Sequence, residues 1–324
     1  MRSVTVGILG LGNVGAGTVR LLHERRAAIE ARLGAVIEVR RICVRDPGRR
    51  RAVDVAPELI TADPRALIAD PMIDVVVELI GGVEPACSYI LAALRAGVAR
   101  VCLTSSFSTV GFHADDPSRP CAEELPFFPF IDWMPYSRTK VLAEIEAFKA
   151  IADGLDVVIA ISTGVCGPHD FLPSRTGNAL LSYARGKFRA YIPGGYEAVG
   201  VDDLARGHVL AMERGRKGQR YTISSRYVTM DEMLDLFAEV TGKPRKARAL
   251  PPKLMAGVAR AVSGAMTAFF PDVPQHLTPG AVLVLSMQRR ADIGKARAQL
   301  GYEPTAIEPV VRAWYEFFVR EQMV

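Results

Sequence analysis

Apolar runs of strand length alternate along this chain with longer stretches in which apolar residues recur every three or four positions. Val4–Leu9 is a short apolar run, and a helical pattern follows through Leu21, Leu22 and Ile29. Ile37–Val44 reads as a second strand, and Ile73–Ile80 as a strand buried on both faces. A helix is predicted over Glu84–Ala96, a strand over Val101–Leu103, a helix from Pro135 through Phe148, and a strand over Asp156–Ile161. Asn178–Gly186 reads as a helix and Arg189–Tyr191 as a short strand. Val201 opens a helix ending near Gly215, with Asp202 or Asp203 as its N-cap. The remainder alternates short strands with helices: Tyr221–Ser224, Met230–Thr241, Pro251–Phe270, Leu277–Gln288, Ile293–Leu300 and Ile307–Arg320. Residues 111–132, rich in Pro, Asp and Phe, read as a loop: a flap over a site or a surface connection. This alternation predicts an α/β chain built on a doubly wound parallel sheet.

Composition narrows the class. With 324 residues, the chain has room for two domains or one large α/β domain plus a lobe. Hydrophobic residues make up 49% and charged residues 23%, values of an ordinary globule with material for a sizeable core. A net charge of +5 comes mostly from scattered arginines. That is a solvated basic surface or an attraction for an anionic ligand such as a dinucleotide phosphate. No basic stripe interleaved with aromatics points to nucleic acid. Cys43, Cys87, Cys102, Cys121 and Cys166 are odd in number and lack Cys-x-x-Cys spacing. They argue against a disulfide framework or a zinc site, and for a reducing, cytoplasmic compartment. No apolar run reaches transmembrane length, and the N-terminal run is too short for a signal peptide.

Candidate chemistry sits at strand ends. Gly10-Leu-Gly12-Asn13-Val14-Gly15 lies between the first strand and the first helix. In that context Gly-x-Gly-x-x-Gly is a dinucleotide fingerprint: a tight turn, a close approach to the pyrophosphate, and free N–H groups at a helix start. The second strand ends in Arg45-Asp46, with Arg49-Arg50-Arg51 after it. An acidic residue there suits the ribose of NAD, and an arginine suits the 2′-phosphate of NADP. The arginines favour NADP over NAD. Ligands of such sheets lie at the carboxyl ends of the strands, where Gly10–Gly15, Gly81-Gly82 and Thr104–Ser106 all fall.

The second constellation is Ser106 with Tyr136-Ser-Arg-Thr-Lys140. Residues four apart on a helix share a face. A nearby ammonium favours a tyrosinate, and a strand-end hydroxyl can orient a substrate carbonyl. A second Tyr-x-x-x-Lys at 183–187 stands next to Gly186 and has no hydroxyl-rich strand before it. His113, His169 and His208 are lone histidines, read as surface or capping residues.

Two family resemblances follow from these motifs. Residues 1–98 resemble the NAD(P)-binding half of homoserine dehydrogenase, through Gly10–Val19, Ile37–Asp46 and Asp74–Pro85. Residues 99–324 resemble an extended short-chain dehydrogenase/reductase of the dihydroflavonol reductase and epimerase type. That likeness rests on Arg100–Ser106, Tyr136-x-x-x-Lys140, Gly164–Asp170 and Val201–His208. The change falls near residues 90–100, and Ser106 stands where homoserine dehydrogenase has a lysine. The resemblance implies a Rossmann-type domain over 1–170, with 196–216 packing back on it, and a smaller α/β substrate lobe over 171–324. It implies Tyr136 as proton donor or acceptor, Ser106 as the residue orienting the oxygen, and Lys140 as tuning Tyr136 and holding the nicotinamide ribose. Gly164 and Val165 would line the nicotinamide. The cofactor set is then Gly10, Gly12, Asn13, Val14, Gly15, Arg45, Gly81, Thr104, Lys140, Gly164 and Val165, with no metal. The expected activity is reduction of a carbonyl or oxidation of an alcohol by a homodimer. A sugar-nucleotide epimerase or dehydratase using Arg175, Arg185, Lys187 and Arg189 is the second expectation. A non-catalytic dinucleotide-binding protein is the third, and homoserine dehydrogenase the last.

Overall fold

The computed structural model describes residues 2–51, 53–80, 84–113, 115–116, 119–129, 134–269 and 279–324. Its internal contacts divide the chain into two units: Met1–Val101 with Ile145–Val157, and Cys102–Glu144 with Val158–Val324.

The first unit runs β1 (Arg2–Leu9), α1 (Asn13–Glu24), α2 (Arg26–Leu33), β2 (Ala35–Cys43), β3 (Ile60–Thr61), α3 (Pro64–Ile68), β4 (Val75–Glu78) and α4 (Ala86–Arg95). Its strands lie in the order β3-β2-β1-β4, all paired in parallel. Residues of β1 pack to both sides. Val6 and Ile8 join Leu11, Ala16 and Val19, while Leu9 joins Leu67, Ile68 and Ala93. A strand covered on both faces has no polar alternation, which is why this one reads as a continuous apolar run. The helical pattern expected through Ile29 is two helices, broken at Arg25.

The chain continues with β5 (Val101–Ser106), α5 (Pro135–Ala152), β6 (Val157–Ser162), β7 (Gly164–Cys166), α6 (Arg175–Ala184), β8 (Ala190–Tyr191), β9 (Gly195–Gly200) and α7 (Val201–Arg214). After these come β10 (Arg220–Ile223), β11 (Arg226–Thr229), α8 (Met230–Thr241), β12 (Arg248–Ala249), α9 (Pro252–Phe269), α10 (Pro279–Met287), α11 (Gly294–Leu300) and α12 (Ile307–Arg320). One sheet has the order β10-β6-β5, with β10 and β6 parallel. A second has the order β11-β9-β7, antiparallel at β11–β9 and parallel at β7–β9. The parallel sheets flanked by helices make the fold Rossmann-type α/β.

The core of the second unit is aromatic. In α12, Ile307, Val311, Trp314, Phe317 and Phe318 are all buried. Their three- and four-residue spacing puts them on one helical stripe. They pack with Leu180 and Tyr183 of α6 and with Phe237 of α8. Each such side chain stabilises the fold by roughly 1.5–3 kcal/mol relative to exposure.

The expected N-cap of α7 is corrected. Gly200 occupies the cap, and Asp202 and Asp203 lie in the first turn. The buried Asp203 carboxylate is engaged elsewhere: it accepts from the Thr305 N–H at 2.7 Å and its hydroxyl at 3.1 Å. Among the described residues no helix is long and apolar enough to cross a membrane.

Candidate active site

In the first unit the glycine turn has the form a pyrophosphate needs. Gly10 leaves β1 at φ +104°, where a side chain is strained, and a Cβ there would meet the Leu79 backbone at 2.9 Å. A Cβ on Gly15 would lie 2.2 Å from the Gly10 carbonyl oxygen, so α1 can start this close to β1 only without one. Beside Gly12 the corresponding space is open. Gly12 is also the N-cap of α1 and brings no capping side chain. The first-turn N–H groups of Asn13, Val14 and Gly15 are therefore free of a side-chain cap, and Val14 is exposed. An anion beside these groups gains hydrogen bonds and the positive end of the helix dipole. The residues present fit a dinucleotide phosphate.

At the end of β2, Arg45 is exposed. The Asp46 carboxylate accepts from the Gly48 N–H at 3.0 Å, and the Arg51 guanidinium folds back onto the Pro47 carbonyl at 3.2 Å. Gly81 lies outside the described residues.

In the second unit α5 sorts its residues by face. Ser137, Val141 and Glu144 are buried, at positions i, i+4 and i+7. Tyr136 and Lys140 therefore share the adjoining stripe, and Tyr136 is 61% exposed. The Lys140 ammonium lies 6.0 Å from the centre of the Tyr136 ring and donates to the Thr104 carbonyl at 3.0 Å. The end of β5 thus meets the Tyr/Lys face. Ser106 caps the short turn at 107–109: its hydroxyl oxygen accepts from the Ser108 N–H at 3.3 Å and from the Ser108 hydroxyl at 3.0 Å. Gly164 pairs with Ala198, and a Cβ there would strike the Tyr196 ring at 2.8 Å. Val165 is partly exposed beside it.

Sequence reasoning missed two participants. His208, read as a surface or capping residue, joins the strand end. Its Nδ1 donates to the Leu204 carbonyl at 2.8 Å, and its Nε2 lies 2.9 Å from the Thr104 hydroxyl. A carbonyl can only accept, so Nδ1 carries a proton toward Leu204. The other is Glu144, on the buried face of α5. It accepts from the Ser105 hydroxyl, from the Thr109 hydroxyl at 2.7 Å, and pairs with Arg220 at 2.9 Å. A charge at a position of the apolar stripe was the available signal. Among the described residues no group of three His, Cys, Asp or Glu side chains is placed to hold a metal ion.

Residues 10–106 match the NAD binding domain of homoserine dehydrogenase, and residues 71–224 match the NAD dependent epimerase/dehydratase family. The two matched stretches overlap over residues 71–106. The chain is similar to Sterol demethylase protein B of Methylococcus capsulatus, 36% identical over 214 residues, 66% of this chain and 64% of that protein. A putative dihydroflavonol 4-reductase of Synechocystis is 28% identical over 228 residues. The chain spans 64% of the length of each of these relatives. The homoserine dehydrogenase of Synechocystis is 45% identical over 92 residues, 28% of this chain and 21% of that enzyme. Among solved structures, a nucleoside-diphosphate-sugar epimerase from Pseudomonas aeruginosa superposes with a TM-score of 0.68 at 23% identity, covering 99% of both chains. UDP-glucose 4-epimerase from Thermotoga maritima gives 0.67 at 18% identity, covering 98% of this chain and 100% of that one. These two likenesses establish the Rossmann-type fold.

Proposed function

We propose that the chain is an NAD(P)-dependent oxidoreductase of the short-chain type that reduces a carbonyl or oxidises an alcohol. The observation that carries this reading is the Lys140 ammonium, anchored on the Thr104 carbonyl and held beside an exposed Tyr136 ring. A bound nicotinamide supplies or accepts the hydride. In the reducing direction the Tyr136 hydroxyl gives its proton to the substrate oxygen, and solvent returns one to the phenolate. Lys140 stabilises that phenolate by its charge. Ser106 orients the substrate oxygen, turning its hydroxyl from the Ser108 contact. Thr104 and His208 fix the strand end that Lys140 leans on. Gly10, Gly12 and Gly15 hold the dinucleotide phosphates, and Gly164 and Val165 line the nicotinamide.

Tyr136→Phe tests the reading. A general acid contributes about 10²–10⁴-fold, so turnover should fall by that factor while calorimetry shows NADPH affinity unchanged. The substrate panel, followed by NADPH absorbance, includes ketosteroids, because of the likeness to Sterol demethylase protein B, and simple aryl ketones. A variant as active as the wild type removes the proposal.

An epimerase or dehydratase of nucleotide sugars is the second reading, favoured by the match over residues 71–224. It uses the same tyrosine, and the same assays with UDP- and dTDP-sugars distinguish it: product formed without net NADPH consumption.

A further inference from the structure

A cavity of about 470 Å³ in the second unit is lined by residues of β9 and β11, by Ser225 just before β11, by Glu232 of α8, by Pro120 and by the segment 290–293, and none of the proposed proton-transfer residues borders it. Its size falls within the range of small-molecule sites. β9 and β11 run antiparallel there, with Glu197 opposite Tyr227. Directly opposed residues share a face of the sheet, and the next residue along β9, Tyr196, turns to the other face. There it packs against the aromatic core. The cavity therefore has a wall of its own chemistry.

That wall carries an excess of donors. The Glu197 carboxyl is buried, and both of its oxygens already accept: from the Ser224 hydroxyl at 2.6 Å and from the Ala291 N–H at 2.8 Å. By contrast, the Tyr227 and Ser225 hydroxyls are buried atoms without a hydrogen-bond partner in the protein. Burying an unpartnered hydroxyl costs free energy that an acceptor at the site recovers. The Arg290 guanidinium lies over the Tyr227 ring at 5.3 Å. Among the described residues it makes no ion pair at contact distance, and its charge also acts on the neighbouring Glu197 carboxyl. Its neighbour in the wall, Arg226, is committed to Glu308 at 2.7 Å and Glu232 at 3.4 Å. A guanidinium fork and two hydroxyls with nothing to donate to are complementary to an oxyanion.

We propose that this cavity is a second ligand site, for a small organic anion whose carboxylate or phosphate is held by Arg290 with help from the Tyr227 and Ser225 hydroxyls. Binding here does not depend on the dinucleotide or on the proton-transfer residues.

The test is calorimetric titration of the full chain, saturated with NADP, using benzoate in one arm and phenyl phosphate in the other. Saturation keeps the phosphate probe out of the glycine turn. At least one probe is expected to bind the wild type. Arg290→Ala is expected to weaken it by about tenfold, the loss of a charge-assisted bond, and Tyr227→Phe by a few-fold. Arg290→Lys keeps the charge but loses the fork, and should fall between. Arg312→Ala, which breaks a surface pair with Glu239, is the control and should bind as the wild type. Binding of benzoate alone assigns the site to carboxylates, and binding of phenyl phosphate alone to phosphate esters. The proposal is overturned if neither probe binds the wild type, or if Arg290→Ala and Tyr227→Phe bind unchanged. Unfolding midpoints of all variants separate loss of binding from loss of fold, and Tyr227→Phe retains the ring that packs.

Discussion

Glu123 carries its carboxyl into the second unit, where it is 3% exposed and accepts from the Thr222 N–H. Burial is the largest influence on it and pushes its pKa above the ordinary carboxylate value. The sign of the consequence is fixed. A folded state that holds the proton longer than the unfolded chain binds more protons over that interval, so stability falls as pH rises through it. Glu123→Gln keeps an acceptor for the Thr222 N–H and removes the titration. Relative to the wild type, the variant should gain stability as pH rises from about 4 to about 7, read from urea midpoints across that range. A difference that stays constant with pH would refute this. The same burial pushes the Cys166 thiol up to about 12, which fits a core cysteine. At this scale, legibility follows distance along the chain. Tyr136 and Lys140 stand four apart, so helical geometry alone brings them to one face. Thr104 and His208 stand 104 apart, and Glu144 and Arg220 belong to different elements, so no local pattern pairs them.

The helix that presents Tyr136 and Lys140 outward is pinned from beneath by a buried ion pair. Glu144 of α5 and Arg220 of β10 have side chains 0% and 9% exposed and meet at 2.9 Å. Ser105 of β5 and Thr109 also donate to Glu144, and Arg220 donates to the Glu123 carbonyl at 2.6 Å. Removing one partner of such a pair leaves a charge buried alone and costs about 3–5 kcal/mol. Glu144→Ala should lose that much in denaturant unfolding. Glu144→Leu with Arg220→Met should recover a good part of it, because the second charge is gone too. A loss below about 1 kcal/mol in the single variant would show that the pair does not pin α5. The elements themselves were unevenly readable. Met230–Thr241 and Ile307–Arg320 coincide with α8 and α12, since one is bounded by a Thr229/Glu232 capping box and the other carries a five-residue apolar stripe. Strands β7, β9 and β11 escaped, being short, and Gly164, Gly195 and Gly200 at the ends of the first two read as loop signals. They owe their extended form to pairing with one another, which is a tertiary effect.

Across the whole molecule, the two family matches overlap over residues 71–106, and the first structural unit gives way to the second at residue 101. The glycine turn lies in the stretch that matches the NAD binding domain of homoserine dehydrogenase, and the Tyr/Lys pair in the stretch that matches the epimerase/dehydratase family. Three side chains after β2 are the candidate determinants of dinucleotide choice, and they differ in what they already bind. The Asp46 carboxylate, the natural acceptor for a ribose hydroxyl, is already bonded to the Gly48 N–H at 3.0 Å. The Arg51 guanidinium is spent on loop carbonyls. Arg45 is exposed at the strand end, the position from which an arginine meets a 2′-phosphate. NADP is then expected to bind more tightly than NAD, and Arg45→Ala to cost NADP about tenfold, one charge-assisted hydrogen bond, with NAD nearly unaffected. Raising salt should weaken NADP more than NAD for the same reason, since an exposed ion pair is screened. Equal losses for the two dinucleotides on Arg45→Ala would mean that the arginine shapes the loop and does not read the phosphate.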